Sequence, residues 1–96
     1  MKNNPRIEFT NSFNTQRKNA PLEIKEAFLE TLALFLEEPN NPFLRNHALR
    51  GKLAGYRSLD VTNDWRAIFK ETQVGELRVI KFFAIGTHKN LYGNNS

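Results

Sequence analysis

The chain has no cysteine among its 96 residues, which excludes disulfides and thiolate chemistry and leaves the redox compartment open. It also lacks any long apolar run. The opening Met1-Lys2-Asn3-Asn4-Pro5 is polar where a secretory leader is apolar, and no segment approaches the length of a bilayer span. A cytoplasmic protein without a membrane partner is therefore expected. Gly-rich phosphate loops, nucleophile elbows, zinc-ligand patterns and dinucleotide fingerprints are all missing. The two His and two Asp do not show the close paired spacing of a metal motif, so no metal is expected. There is no internal repeat, low-complexity tract or linker, only a polar tail over residues 93–96 that is expected to fray.

What is present fits one domain spanning residues 1–96, with eight Phe and one Trp to fill its core. The net charge of +4 is unevenly placed. Residues 1–41 carry five Lys or Arg against six Asp or Glu, whereas residues 42–96 carry nine against four. Both histidines lie in the basic half. Such a surface attracts nucleic acid, anionic membrane or acidic proteins, and charge alone does not choose among them.

Period-2 alternation in Arg6-Ile7-Glu8-Phe9-Thr10 predicts a first strand, and residues 11–18 predict a weak helix or helical turn. Asn19-Ala20-Pro21 opens a stronger helix. Ile24, Phe28, Leu32 and Phe35, with Leu29, Ala33 and Leu36 beside them, give it a wide apolar stripe suited to lying across a sheet. Pro39 and Pro42 end it. Strands are predicted over residues 56–61, 65–70 and 76–85, with turns at Thr62-Asn63-Asp64 and Gln73-Val74-Gly75. The order β-α-α-β-β-β predicts an α+β domain, with a twisted antiparallel sheet covered on one face by two helices.

The chemistry-bearing residues cluster after Leu44. His88 follows the longest strand in Gly86-Thr87-His88, where the glycine is expected to let the chain leave the sheet abruptly toward a cleft. His47 falls in a loop or helix end. The competing reading makes both ordinary surface histidines. Imidazole titrates near pH ~6.5, and two of them can act as base and acid across a phosphodiester, each contributing ~10²–10⁴-fold. Asp64 sits where turns use Asx hydrogen bonds. Asp60 shares a strand face with Tyr56 and Ser58, where it can orient an imidazole, accept a proton, or simply face solvent. Arg57, Arg66 and Arg78 fall on three successive strands with Lys70 and Lys81 nearby, a pattern that can form a positive stripe for a phosphate backbone. Lys52, Arg57, Arg66, Lys81 and Tyr92 are the candidate RNA contacts, the tyrosine for base stacking.

His47-x-Leu49-x-Gly51, Gly55-Tyr56-Arg57, Asp64-Trp65 and Gly86-Thr87-His88 followed by Leu91-Tyr92 together resemble the RelE/ParE superfamily of type II toxin–antitoxin toxins. The resemblance is strongest to its YafQ-like branch of messenger-RNA interferases. It implies a ribosome-dependent, metal-independent endoribonuclease that cuts mRNA in the A site by attack of the ribose 2′-hydroxyl, without any cofactor. In that pattern His88 is the general acid, His47 and Asp64 are active-site residues, and Tyr92 is the aromatic beside them. An acidic antitoxin that binds DNA through its other domain is the implied partner in a hetero-oligomer, with ribosome and mRNA as targets. Asp60 stands where the branch usually has a further histidine, so its role as base or orienter departs from the pattern. Two alternatives share the fold: a ParE-like toxin that inhibits DNA gyrase without cleaving nucleic acid, and an RNA-binding domain whose catalysis has decayed.

Overall fold

In the computed structural model, which describes residues 4–92, the chain runs β1 (Arg6–Phe9), α1 (Asn11–Lys18), α2 (Leu22–Glu37), β2 (His47–Ala48), β3 (Arg57–Asp60), β4 (Trp65–Val74), β5 (Leu77–Thr87) and α3 (His88–Tyr92). Short 3-10 turns at Pro42–Leu44 and Gly51–Leu53 flank β2. The five strands form one sheet in the order β1-β5-β4-β3-β2. The α+β class and the antiparallel β3-β4-β5 meander are as the sequence predicts. The sheet is nevertheless mixed, because β1 pairs parallel with β5. The two helices carry the chain from β1 at one edge to β2 at the other.

Local chemistry explains the helix ends. Thr10 is extended, and its hydroxyl accepts from the Phe13 N–H at 3.0 Å, capping α1. Arg17 and Lys18 occupy the last turn, where cations suit the helix dipole. In α2 the buried positions are Ile24, Phe28, Thr31 and Phe35, at helical spacing. The expected wide stripe is narrower in fact. Leu29 and Leu36 are 60% and 46% exposed, because each lies about 100° around the helix from the buried Phe before it.

The buried face is largely phenylalanine. Phe13, Phe28, Phe69 and Phe82 are fully enclosed, with ring centroids 5.2 Å apart for Phe13–Phe28, 5.3 Å for Phe28–Phe82 and 5.5 Å for Phe69–Phe82. Burial assigns the two faces of the sheet. Leu59, Ala67, Phe69, Ile80, Phe82 and Ile85 belong to the core beneath α1 and α2. Their strand neighbours Ser58, Ile68, Lys70, Lys81 and Ala84 face the opposite, open side. A β-bulge lies between the pairs Ile68–Ala84 and Phe69–Phe82, leaving Phe83 as the extra residue on β5. The β4–β5 hairpin turns at Gly75, whose φ of 62° lies in the left-handed region. This is one residue later than predicted, since Val74 still pairs with Leu77.

Candidate active site

At one end of the open face, α3 folds back over the sheet opposite β2 and the segment 49–53. Together they enclose a cleft of about 840 Å³, lined by both histidines, Arg50, Lys52 and Tyr92, with Leu49, Leu53 and Leu91 as apolar walls. Gly86 makes the fold-back possible, though differently from expected. It lies within β5, and a side chain there would meet Leu91 Cδ2 at 3.3 Å. Its contribution is a missing Cβ that lets α3 approach the strand, and the strand itself continues to Thr87.

His47 is placed by β2, where it pairs with Ser58 of β3. Its Nδ1 lies 2.7 Å from the Arg45 carbonyl oxygen. A carbonyl only accepts, so the neutral ring carries its hydrogen on Nδ1 and leaves Nε2 with the lone pair. Arg45 has φ 45°, a left-handed conformation that turns this carbonyl toward the ring. His88 begins α3, and its backbone N–H donates to the Asp64 carbonyl at 2.8 Å. Its ring meets the Tyr92 ring edge-on at 4.7 Å. The Tyr92 hydroxyl donates to Ser58 Oγ at 3.0 Å, fastening the end of α3 to the strand that also carries His47.

The remaining predicted residues separate into two groups. Lys52 and Tyr92 line the cleft with the histidines. Asp60 does not stand open to solvent: it pairs with Arg66 at 3.0 Å and with Arg45 at 3.7 Å. Arg66 also donates to the carbonyls of Thr62 and Trp65, and the Asp60 and Arg66 side chains are only 14% and 13% exposed. Arg57 projects to the helix side of β3, alternate to Ser58, and its Nε donates to Asn46 Oδ1 at 2.8 Å. Arg78 also lies on that side, paired with Glu71. The three strand arginines therefore do not make one positive stripe, because their register positions alternate between faces. Asp64 sits in the β3–β4 turn, but the hydroxyl bonding there comes from Thr62, which accepts from Asp64 N–H at 3.4 Å and Trp65 N–H at 3.1 Å. Lys81 lines a different hollow farther along the sheet.

Arg50 and Ser58 are the site residues the sequence reading passed over. Arg50 had a signal, since it lies between His47 and Lys52 in the most basic stretch. Ser58 had none, because only the return of α3 gives it a partner. Among the described residues, no group of three or more His, Asp or Glu could hold a metal ion.

Comparison with known proteins places the sequence and the fold among bacterial toxins. The family described as the bacterial toxin of type II toxin–antitoxin system, YafQ, matches residues 5–93. The mRNA interferase toxin YafQ of Escherichia coli K12 is 30% identical over 91 residues, covering 91% of this chain and 95% of that protein. The crystal structure of YafQ from Escherichia coli BL21(DE3) superposes with a TM-score of 0.74 at 24% identity, over 93% of this chain and 99% of the other. The YafQ-fold chain of the Escherichia coli DinJ–YafQ toxin–antitoxin complex gives 0.72 at 24% identity, over 94% and 99%. The chain belongs to the YafQ family of bacterial type II toxin–antitoxin toxins.

Proposed function

We propose that the chain is an mRNA endoribonuclease acting in the ribosomal A site, with His47 as general base and His88 as general acid. The observation that carries this reading is the meeting of both histidines with Arg50, Lys52 and Tyr92 in one cleft. His47 Nε2 takes the proton of the ribose 2′-hydroxyl as its oxygen bonds to the adjacent phosphorus. The bond from phosphorus to the 5′-oxygen breaks, and His88 gives that oxygen a proton. The products are a 2′,3′-cyclic phosphate and a free 5′-hydroxyl. Arg50 and Lys52 neutralise the charge gathering on the phosphoryl oxygens, a contribution of roughly 3–4 kcal/mol for a well-placed donor. Tyr92 holds the His88 ring and offers a face to a base.

In this scheme Asp60 is a positioning residue. It ties Arg66 and Arg45 together, and the Arg45 carbonyl fixes the proton of His47. Arg57 and Arg66 stabilise the strands that carry the site, and Arg50 and Lys52 contact the RNA in their place. Asp64 presents the carbonyl that starts α3. A paired base and acid has no use in a toxin that only binds gyrase, which favours the nuclease. A cognate antitoxin, acidic where it meets the cleft, is the inferred partner, consistent with the DinJ–YafQ complex of the relative.

The test is to express wild type and His88→Ala in a bacterial translation extract and map mRNA 5′ ends by primer extension. Cuts at fixed positions within codons, made by wild type only, are expected. Intact messages beside persisting toxicity would point instead to another target such as gyrase. A chelator of transition metals that leaves ribosomal Mg²⁺ in place should not change cleavage; a loss restored by added metal contradicts the scheme.

A further inference from the structure

The open face carries a second hollow, of about 390 Å³, at the end of the sheet away from His88. Register builds it. Lys70 of β4 pairs with Lys81 of β5, and Glu8 of β1 pairs with Lys81 on its other side. Two lysines directly opposite one another repel, an arrangement that strand pairing disfavours. Among the described residues, no ion pair joins either lysine to a nearby carboxylate. Glu8 is paired with Arg6 at 3.1 Å, and Glu71 lies on the helix side, paired with Arg78 at 3.0 Å. The lysines stand over aromatic rings instead: Lys70 Nζ is 5.5 Å from the Tyr56 centroid and Lys81 Nζ is 5.7 Å from that of Phe83. Those two rings meet edge to face at 5.0 Å. The bulge accounts for this, because Phe83 is the extra residue that the strand register does not pair.

Tyr56 connects this hollow to the histidine cleft. Its N–H donates to the Leu53 carbonyl at 3.0 Å, and its carbonyl accepts from the Leu49 N–H at 2.9 Å. Both leucines wall the cleft, while the Tyr56 ring lies against Phe83, which walls the hollow. Along β4, Lys70 is two residues, roughly 7 Å, from Ile68, which pairs with the Ser58 that holds Tyr92. Cations beside aromatic platforms, continuous with a basic cleft, are the chemistry that retains single-stranded nucleic acid.

We propose that Tyr56, Phe83, Lys70 and Lys81 form a subsite for the message strand leaving the cleft, with a flanking base against the aromatic pair and its phosphate between the lysines. This rests on the ribonuclease reading of the cleft. The test measures binding of the purified chain to fully 2′-O-methylated oligoribonucleotides of three and eight nucleotides sharing one central sequence. Wild type binds the longer one about tenfold more tightly. The Lys70→Gln/Lys81→Gln double variant loses that advantage and keeps the affinity for the shorter one. Its log–log salt slope for the longer oligonucleotide is shallower by about 0.7, the loss of one neutralised phosphate on a single strand. Arg50→Gln weakens binding of both lengths.

Equal affinity for both lengths, or an unaltered double variant, overturns the subsite. The cleft reading survives that result if Arg50→Gln still weakens both lengths, and falls with the subsite if it does not. A double variant that binds RNA normally but loses purified antitoxin assigns the hollow to the antitoxin and also overturns the inference.

Discussion

His47 and His88 reach one cleft by different routes, and the difference sets what each substitution does. His47 is oriented by a single backbone carbonyl on an exposed two-residue strand, while His88 opens a helix that packs on the sheet. Neither side chain belongs to the core, so alanine at either position should leave the fold intact, with at most a modest drop in melting temperature at His88, whose ring packs on Tyr92. Cleavage should fall ~10²–10⁴-fold for each. Because the two act on one transition state, the double variant should fall little further than the worse single variant. Single-turnover kinetics on programmed ribosomes, with thermal melts beside them, measure both expectations. Asp60 should behave in the opposite way. Asp60→Ala removes the charge partner of the largely enclosed Arg66 guanidinium and should cost ~3 kcal/mol of stability, read by urea denaturation. Asp60→Asn keeps a hydrogen-bond acceptor and should retain cleavage within about tenfold, whereas loss on the histidine scale would make Asp60 the base.

At the scale of elements, α3 has only five residues and is far too short to be stable alone. Its position depends on Leu91 against Gly86 and on the Tyr92 hydroxyl at Ser58, which is fully buried. Tyr92→Phe leaves Ser58 Oγ without that donor and should cost roughly 1–3 kcal/mol; Tyr92→Phe/Ser58→Ala should recover most of it, because both partners are then gone. Chemical denaturation of the two variants checks this coupling. The same shortness explains what the sequence disclosed. Residues 65–74 and 77–87 form long runs rich in β-branched and aromatic residues and bounded by turn residues, and 22–37 is long enough for a helical period to register. β2 and α3 are too short for either signal, and the bulge at Phe83 shifts every later β5 residue to the other face. Positions beyond the bulge, Gly86 above all, could not be assigned a face without the pairing. The clustering of His47, His88 and Tyr92 was legible as a resemblance of motifs. The pairing of Asp60 with Arg66 was implicit only in their opposition across the β3–β4 hairpin.

Over the whole molecule, the apolar core and the chemistry occupy opposite faces of one sheet. The phenylalanine cluster lies under α1 and α2, and the two basic hollows lie on the other side. Phe28→Ala should therefore cost 3–5 kcal/mol in unfolding free energy, and the fraction that remains folded should cleave normally. The charge asymmetry falls the same way, with the basic second half supplying β2 to α3. Binding to RNA or to an acidic antitoxin should accordingly weaken steeply with salt. In the proposed reaction His88 protonates the departing 5′-oxygen while His47 removes the 2′-proton. A message carrying sulfur in place of the bridging 5′-oxygen at the scissile position tests it most directly, since a thiolate leaves without needing an acid. With this substrate His88→Ala should recover to within about tenfold of wild type, while His47→Ala stays as slow as before. Equal rescue of both variants, or rescue of neither, would contradict the assignment of acid and base.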